Sequence, residues 1–310
     1  MTDIDISALA PILRDLGAAA PAAIVEQQGG SSPSFRIDLT DGSALVLKSY
    51  DEIRGKGPSR EAFATGYLKD LGLPVTHYLL FDESRTRLPF RFAITNYLRG
   101  ASARDFIGDP DAPDIYRQMG ALLRRLHAMP MPAFGYIGES GIIDPIATNA
   151  DYMRAEAARQ FGYFRDQGGR DALADRLERL VRTHFDAATQ SRGPAFAHND
   201  LHPGNVLAER DAGGKLRLTG LIDFGNARAA DPVFDLAKNI FNTEHEAPGS
   251  TAALRDGYGP IDHPDPELAL WFYTVLHRIS MWNWLRHVGI IADGERHELI
   301  AHLEEAAQSA

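Results

Sequence analysis

The chain has 310 residues, 44% of them hydrophobic, which is enough for a buried core and unlike a disordered composition. Lys and Arg total 32 against 42 Asp and Glu, a formal net charge of −10, which argues against nucleic acid or an anionic membrane as the main partner. Cysteine is absent, excluding disulfides, a thiol nucleophile and thiolate-held metals, and no apolar run approaches the roughly 20 residues of a membrane span. The opening Met1-Thr2-Asp3-Ile4-Asp5 carries acids where a secretory leader needs positive charge, so a cytoplasmic location is expected. Gln28-Gly29-Gly30-Ser31-Ser32 is a glycine-rich turn ahead of a strand. Runs 35–39 and 43–50 alternate as strands around Asp41-Gly42, a hairpin turn. Pro58 and Ser59 open a helical pattern over 60–71 that Gly72 stops, and two further strand-like runs follow at 75–81 and 90–97. Leu98-Arg99-Gly100 reads as a connector.

Beyond the connector the pattern is mostly helical. Ile115, Met119, Leu122, Leu123 and Leu126 recur at helical spacing within 113–129, and Pro130 and Pro132 end that stretch. Further helices are expected over 151–167, 171–189, 232–242, 266–288 and 294–308. Two short apolar strands, 205–208 and 216–222, interrupt them and flank the turn Asp211-Ala212-Gly213-Gly214. A β-rich part followed by a helical part is an α+β arrangement, and a cleft is expected between the two.

The chemistry concentrates in His198-Asn199-Asp200-Leu201-His202-Pro203-Gly204-Asn205, followed downstream by Ile222-Asp223-Phe224-Gly225. An Asp and an Asn on one loop, with a second Asp at the next strand end, make an oxygen-rich site of the kind Mg²⁺ prefers, its shell completed by phosphates and water. Any one of these residues alone is more often a turn or cap residue; the ordered set is not readily explained that way.

The set resembles the catalytic loop and the metal-binding D-F-G segment of eukaryotic-like kinases. It is similar above all to the aminoglycoside phosphotransferase family, whose relatives include choline and homoserine kinases. The resemblance implies a two-lobed protein-kinase-like fold, with a small β-rich N-lobe over 1–97 that covers the nucleotide. A larger, mainly helical C-lobe over 98–310 would carry the catalytic loop and the acceptor site. It also implies roles. Asp200 resembles the catalytic base, Asn205 and Asp223 the Mg²⁺ ligands, and Lys48 the strand lysine that holds phosphates, with Glu61 on the next helix as its partner. Gly29, Gly30 and Ser31 stand where a phosphate-covering loop belongs. Asn96, Tyr97 and Leu98 stand at the hinge, whose backbone would meet the nucleobase. His198 is expected to be structural, His202 to face substrate or phosphate, and Asp231 to cap a helix that Asp235 braces against the loop.

The function implied is transfer of the γ-phosphoryl group of ATP or GTP to a substrate hydroxyl, most closely that of an aminoglycoside antibiotic, hence antibiotic resistance. The acidic composition leans towards a cationic acceptor; an acidic surface kept for solubility explains it as well. The alternatives are a kinase of a choline-like, homoserine-like or sugar-like metabolite, and a nucleotide-binding pseudokinase without turnover. Retention of Lys48, Asp200, Asn205 and Asp223 argues against the pseudokinase. No A-P-E segment follows Asp223-Phe224-Gly225, which argues against a protein kinase. The C-terminal aromatics Trp271, Phe272, Tyr273, Trp282 and Trp284 read first as core, with one or two as acceptor contacts.

Overall fold

The structure is a computed structural model that describes residues 4–27, 33–50, 57–292, 294–295 and 297–308. The chain forms two compact units. The first comprises residues 1–119, 137–141 and 200–227, and the second residues 120–136, 142–199 and 228–310. The hairpin that carries Asn205 and leads into Asp223 therefore groups with the N-terminal strands. A boundary at 97/98 follows the change from strand to helix along the chain, not this grouping.

The first unit starts with helix α1 (Ile6–Asp15), capped by Asp5, whose side chain accepts from the Ser7 N–H at 2.8 Å. Strands β1 (Pro21–Gln27), β2 (Ser34–Leu39) and β3 (Ala44–Tyr50) follow, then helix α2 (Pro58–Gly66) and strands β4 (Tyr78–Asp82) and β5 (Arg91–Asn96). The strands make an antiparallel sheet in the order β1-β2-β3-β5-β4. Phe35, Ile37 and Leu39 alternate inward on β2 and pack with Leu47, Phe92 and Ile94 against Leu9, Ile12 and Leu13 of α1. Because side chains alternate along a strand, Lys48 falls on the face opposite Leu47.

Two expected boundaries move. The α-helix stops at Gly66, and the chain tightens into i→i+3 turns, Leu68 N–H to Thr65 O and Leu71 N–H to Leu68 O, before Gly72 at φ 58°. The run over 75–81 joins the sheet only from Tyr78. Its first residues pair instead with the later hairpin: Leu221 donates to Pro74 O at 2.8 Å, and Thr76 donates to Leu221 O at 3.2 Å. Helix α1 and strand β1 were not among the sequence expectations. After β5 comes the two-residue strand β6 (Ala101–Ser102).

Helix α3 (Ala112–His127) matches its apolar stripe. Next come β7 (Phe134–Ile137), β8 (Ile142–Ile146), α4 (Asn149–Asp166), α5 (Asp171–Ala188) and β9 (Ala195–Ala197). The hairpin β10 (Val206–Arg210) and β11 (Leu216–Leu221) follows, with β6 on its outer edge. The chain ends with β12 (Arg228–Ala230), α6 (Pro232–Glu246), α7 (Thr251–Tyr258), α8 (Pro266–His287) and α9 (Glu298–Ala306). In the second unit β8, β7, β12 and β9 form a small sheet, and α8 is the hub on which α4, α5, α6 and α9 pack. Its buried residues, among them Leu270, Phe272, Tyr273, Leu276, Ile279 and Trp282, cover most of its circumference and leave a half-buried stripe of Trp271, Thr274, Arg278, Met281 and Leu285. The last helix begins at Glu298 rather than near 294, because His297 caps it by accepting the Leu299 N–H at 3.2 Å.

Gly120 sets how closely α3 approaches α7. A Cβ there would collide with the Leu254 carbonyl oxygen and lie 2.7 Å from the Tyr258 nitrogen, whereas a Cβ at Gly162 in α4 meets nothing within 4 Å. Gly120→Ala is expected to destabilise the chain by about 1–3 kcal/mol through overpacking. Gly162→Ala is expected to stabilise it by about 0.5–1 kcal/mol through helix propensity. Opposite shifts of the thermal unfolding midpoint are the check.

Candidate active site

In the first unit, Lys48 Nζ lies 2.9 Å from both carboxylate oxygens of Glu61, a bidentate pair joining β3 to α2. The Glu61 side chain is 5% exposed and that of Lys48 17%, so this is not a solvated surface pair. Tyr78 donates to Glu61 Oε2 at 2.6 Å, and Tyr50 donates to the Tyr78 hydroxyl oxygen at 3.1 Å. Burial alone would lower the Lys48 pKa, but the charges of Glu61 and, to a lesser degree, Asp223 outweigh it and raise the pKa, so the ammonium stays charged. Burial raises both tyrosine hydroxyls, and the Glu61 charge adds to it. The cation is also directed: Lys48 Nζ is 3.7 Å from Asp223 Oδ1.

Asp223 stands at φ 64°, in the left-handed region that side chains other than glycine rarely occupy. The hairpin holds it there from both sides. Ile222 donates its N–H to Asn205 O at 3.0 Å, and buried Phe224 anchors the next position. Asn205 Nδ2 donates to the backbone oxygen of Asp200 at 2.9 Å, which leaves Oδ1 as the atom able to serve a cation. Asn226 Nδ2 donates to Asp200 Oδ2 at 2.8 Å and fixes one oxygen of that carboxylate. Lys48, Glu61, Asp200, Asn205 and Asp223 belong to one unit; ion pairs link Lys48 to Glu61 and Asp223, and a separate hydrogen bond links Asn205 to the Asp200 backbone.

One carboxylate and one amide oxygen fit Mg²⁺, which takes few protein ligands and completes its shell with phosphate and water. Among the described residues no three His, Cys, Asp or Glu side chains gather to hold a metal by themselves. His202 caps the turn Pro203–Asn205, its Nδ1 accepting from the Gly204 N–H at 3.1 Å. Gly29, Gly30 and Ser31 lie outside the described residues. Of the hinge residues, Asn96 is tied to His77: its N–H donates to His77 O at 3.1 Å, and its Oδ1 accepts the His77 N–H at 2.6 Å. Tyr97 and Leu98 follow the strand end and are half-buried.

In the second unit, Asp235 is fully buried and accepts the N–H groups of His198 at Oδ2 and of Asn199 at Oδ1, each at 2.9 Å. His127 Nε2 donates to the same Oδ2 at 3.2 Å, with the Tyr258 hydroxyl 2.9 Å from its Nδ1. Burial alone would raise the Asp235 carboxyl, but hydrogen bonding and charge from His127 hold it below the usual carboxylate range. The expected bracing role of Asp235 is borne out, as is the cap at Asp231, whose side chain accepts from Val233 N–H at 2.7 Å. Among the aromatics, Phe272, Tyr273 and Trp282 are core, while Trp284 is 53% exposed. Sequence reasoning missed Tyr50, Tyr78, Asn226 and Arg228; the only signal for Asn226 and Arg228 was their place just past the D-F-G segment.

The sequence matches the model of the phosphotransferase enzyme family over residues 24–270. No curated protein matches it. Solved structures share the fold. A thermostable mutant of aminoglycoside phosphotransferase APH(4)-Ia, in ternary complex with AMP-PNP and hygromycin B, aligns with a TM-score of 0.69 at 17% identity over 98% of this chain and 97% of that one. The GDP and kanamycin complex of an APH(2") enzyme gives 0.66 at 16% identity, over 99% and 100% of the two chains. A proposed fructosamine-3-kinase from Thermobifida fusca YX-ER1 gives 0.67 at 17% identity, over 97% and 99%.

His277 on α8 donates from Nε2 to the Phe234 carbonyl at 2.8 Å, and burial first, then the charge of Lys238, pushes its pKa down to about 3. The unfolded chain binds a proton here below pH ~6.5, and the folded chain refuses it until pH ~3, so stability falls as the pH drops through that window. The expected slope from this residue is up to about 1.4 kcal/mol per pH unit. Urea unfolding at pH 7.5, 6 and 5 is expected to show a flatter pH dependence for His277→Gln than for the unaltered chain.

Proposed function

Since this chain belongs to the phosphotransferase enzyme family, we propose that it is a small-molecule kinase that moves the γ-phosphoryl group of ATP or GTP to a hydroxyl of an aminoglycoside-type antibiotic. The observation that carries this reading is the Lys48 ammonium, clamped by buried Glu61 and 3.7 Å from Asp223, in the same unit as an Asp200 carboxylate oriented by Asn226. The bond from the γ-phosphorus to its bridging oxygen breaks, and a bond to the acceptor oxygen forms. Asp200 accepts the acceptor proton, and Lys48 offsets charge on the α- and β-phosphates. Asn205 and Asp223 would hold Mg²⁺, which supplies positive charge to the phosphate oxygens. Gly29, Gly30 and Ser31 would cover the phosphates, and the backbone at Asn96, Tyr97 and Leu98 would meet the base. Residues 1–97 and 98–310 are taken as the nucleotide-covering and catalytic lobes, and the cytoplasm, where ATP is made, as the place of action.

Both adenine and guanine nucleotides occur in the similar structures, which supports either donor, and two of them hold aminoglycosides. The likeness to a proposed fructosamine-3-kinase favours a second reading, a sugar-amine acceptor. In either case the acceptor carries cationic amines, which suits a chain of net charge −10.

The test is a transfer screen with MgATP and MgGTP over kanamycin, hygromycin B, other aminoglycosides, fructosamines, choline and homoserine, read as a mass gain of one phosphoryl group. An aminoglycoside is expected to gain it; transfer to a fructosamine alone selects the second reading, and no transfer refutes both. Asp200→Asn is expected to lower kcat by ~10²–10⁴-fold with nucleotide affinity kept. A parallel loss of nucleotide affinity would make Asp200 a scaffold residue instead. Asp223→Ala is expected to weaken nucleotide binding only when Mg²⁺ is present, measured by calorimetry with and without the metal.

A further inference from the structure

Asn199, directly before Asp200, sits at φ 58°. That conformation is uncommon outside glycine, although Asn tolerates it better than most residues, and in a functional loop its surroundings over-determine it. Three side chains do so. Its N–H donates to Asp235 Oδ1 at 2.9 Å, and Lys238 Nζ donates to its carbonyl oxygen. With its amide oxygen turned towards the guanidinium, as the hydrogen bonding requires, Asn199 accepts from Arg228 Nη2 at 2.8 Å and Nε at 3.1 Å.

Arg228 is itself immobilised. It is 6% exposed, donates from Nη1 to the Tyr152 hydroxyl at 3.0 Å and from Nη2 to the Tyr136 hydroxyl at 2.7 Å, and has Glu156 Oε2 3.7 Å away. Its guanidinium lies 4.1 Å from the Tyr136 ring centre and 5.1 Å from that of Phe234. An apolar side chain could fill such a place without burying a charge, so the retained charge points to the use of the planar fork. The strand carrying Arg228 pairs it with Ala197, at the entrance to the loop. Two residues earlier Asn226 holds the Asp200 carboxylate, so one short run of chain grips both the base and the residue before it.

We propose that Arg228 is a positioning residue for phosphoryl transfer: its fork fixes the Asn199 side chain and thereby the direction in which the backbone enters Asp200. The inference rests on the phosphotransfer reading and deepens it.

The experiment measures kcat, KM and the thermal midpoint with MgATP and whichever screened acceptor gains a phosphoryl group. Arg228→Lys keeps the charge and loses the fork. It is expected to lower kcat ~30–100-fold, with both KM values within ~3-fold, as a small misalignment of the base would. In an Asn199→Gly background there is no amide to hold, so Arg228→Lys is expected to change kcat less than ~2-fold. Equal losses in both backgrounds, or an unaltered kcat for Arg228→Lys, overturn the inference while leaving the reading beneath it intact. No transfer by the unaltered chain overturns both. Should Arg228→Lys fail to fold, Tyr136→Phe removes one hydroxyl acceptor of the fork. A several-fold loss of kcat at constant KM supports the proposal, and unchanged kcat overturns it.

Discussion

The ion pair between Lys48 and Glu61 is the constraint from which the first unit is best understood. Taking an ammonium and a carboxylate out of water together costs more than most such pairs return, and well-packed apolar residues would often be as stable. The pair is nevertheless nearly buried and reinforced by the Tyr78 hydroxyl, itself hydrogen-bonded by Tyr50. Such a network holds a charge still at one point in space. A lysine stem alone is a flexible tether for a hydrated point charge; bidentate to a carboxylate on a neighbouring helix, it becomes a fixed cation. The α1 helix and its sheet face supply the apolar burial that the opposite, polar face does not.

The same logic governs the loop. Asn199 and Asp223 both adopt left-handed backbone, at φ 58° and 64°. Asn199 is held by contacts from Asp235, Lys238 and Arg228, and Asp223 by its ion pair with Lys48 and by the Ile222 N–H bond to Asn205 O beside it. Asp235 satisfies two consecutive N–H groups with one carboxylate, and its pKa direction agrees: contacts from His127 and the loop outweigh the burial that would favour the neutral acid. The energy stored in the turn is offset by these bonds and sets side-chain direction.

The sequence revealed elements with strong periodicity or strong punctuation. The β2–β3 hairpin around Asp41-Gly42, α3, and α8 with its apolar surface appear close to where the pattern put them. Elements built on weak local signals were missed: α1 has a proline inside it, β1 has mixed burial, and β9 and β12 are three residues each and exist only because they pair. The candidate catalytic set was legible because the chemistry proposed for it confines its spacing to one loop and one strand end. Its supports were not. Tyr78 reaches Glu61 from another strand, and Arg228 reaches Asn199 only after β12 pairs with β9, so no local pattern announces either contact.

That asymmetry explains why distant relatives can share a fold at such low identity. On the donor side the partner never changes its chemistry: phosphates need a fixed cation, oxygen ligands for a hard metal and a carboxylate within reach of the transferred group. These demands fall on a few positions and recur as a readable string. Around them, a core needs only apolar residues of suitable volume, and many sequences satisfy it. An acceptor is recognised by shape and by dispersed polar contacts contributed by several helices, none adjacent in sequence. A requirement spread over separate helices leaves no local pattern in the sequence, whereas one confined to a loop and a strand end does.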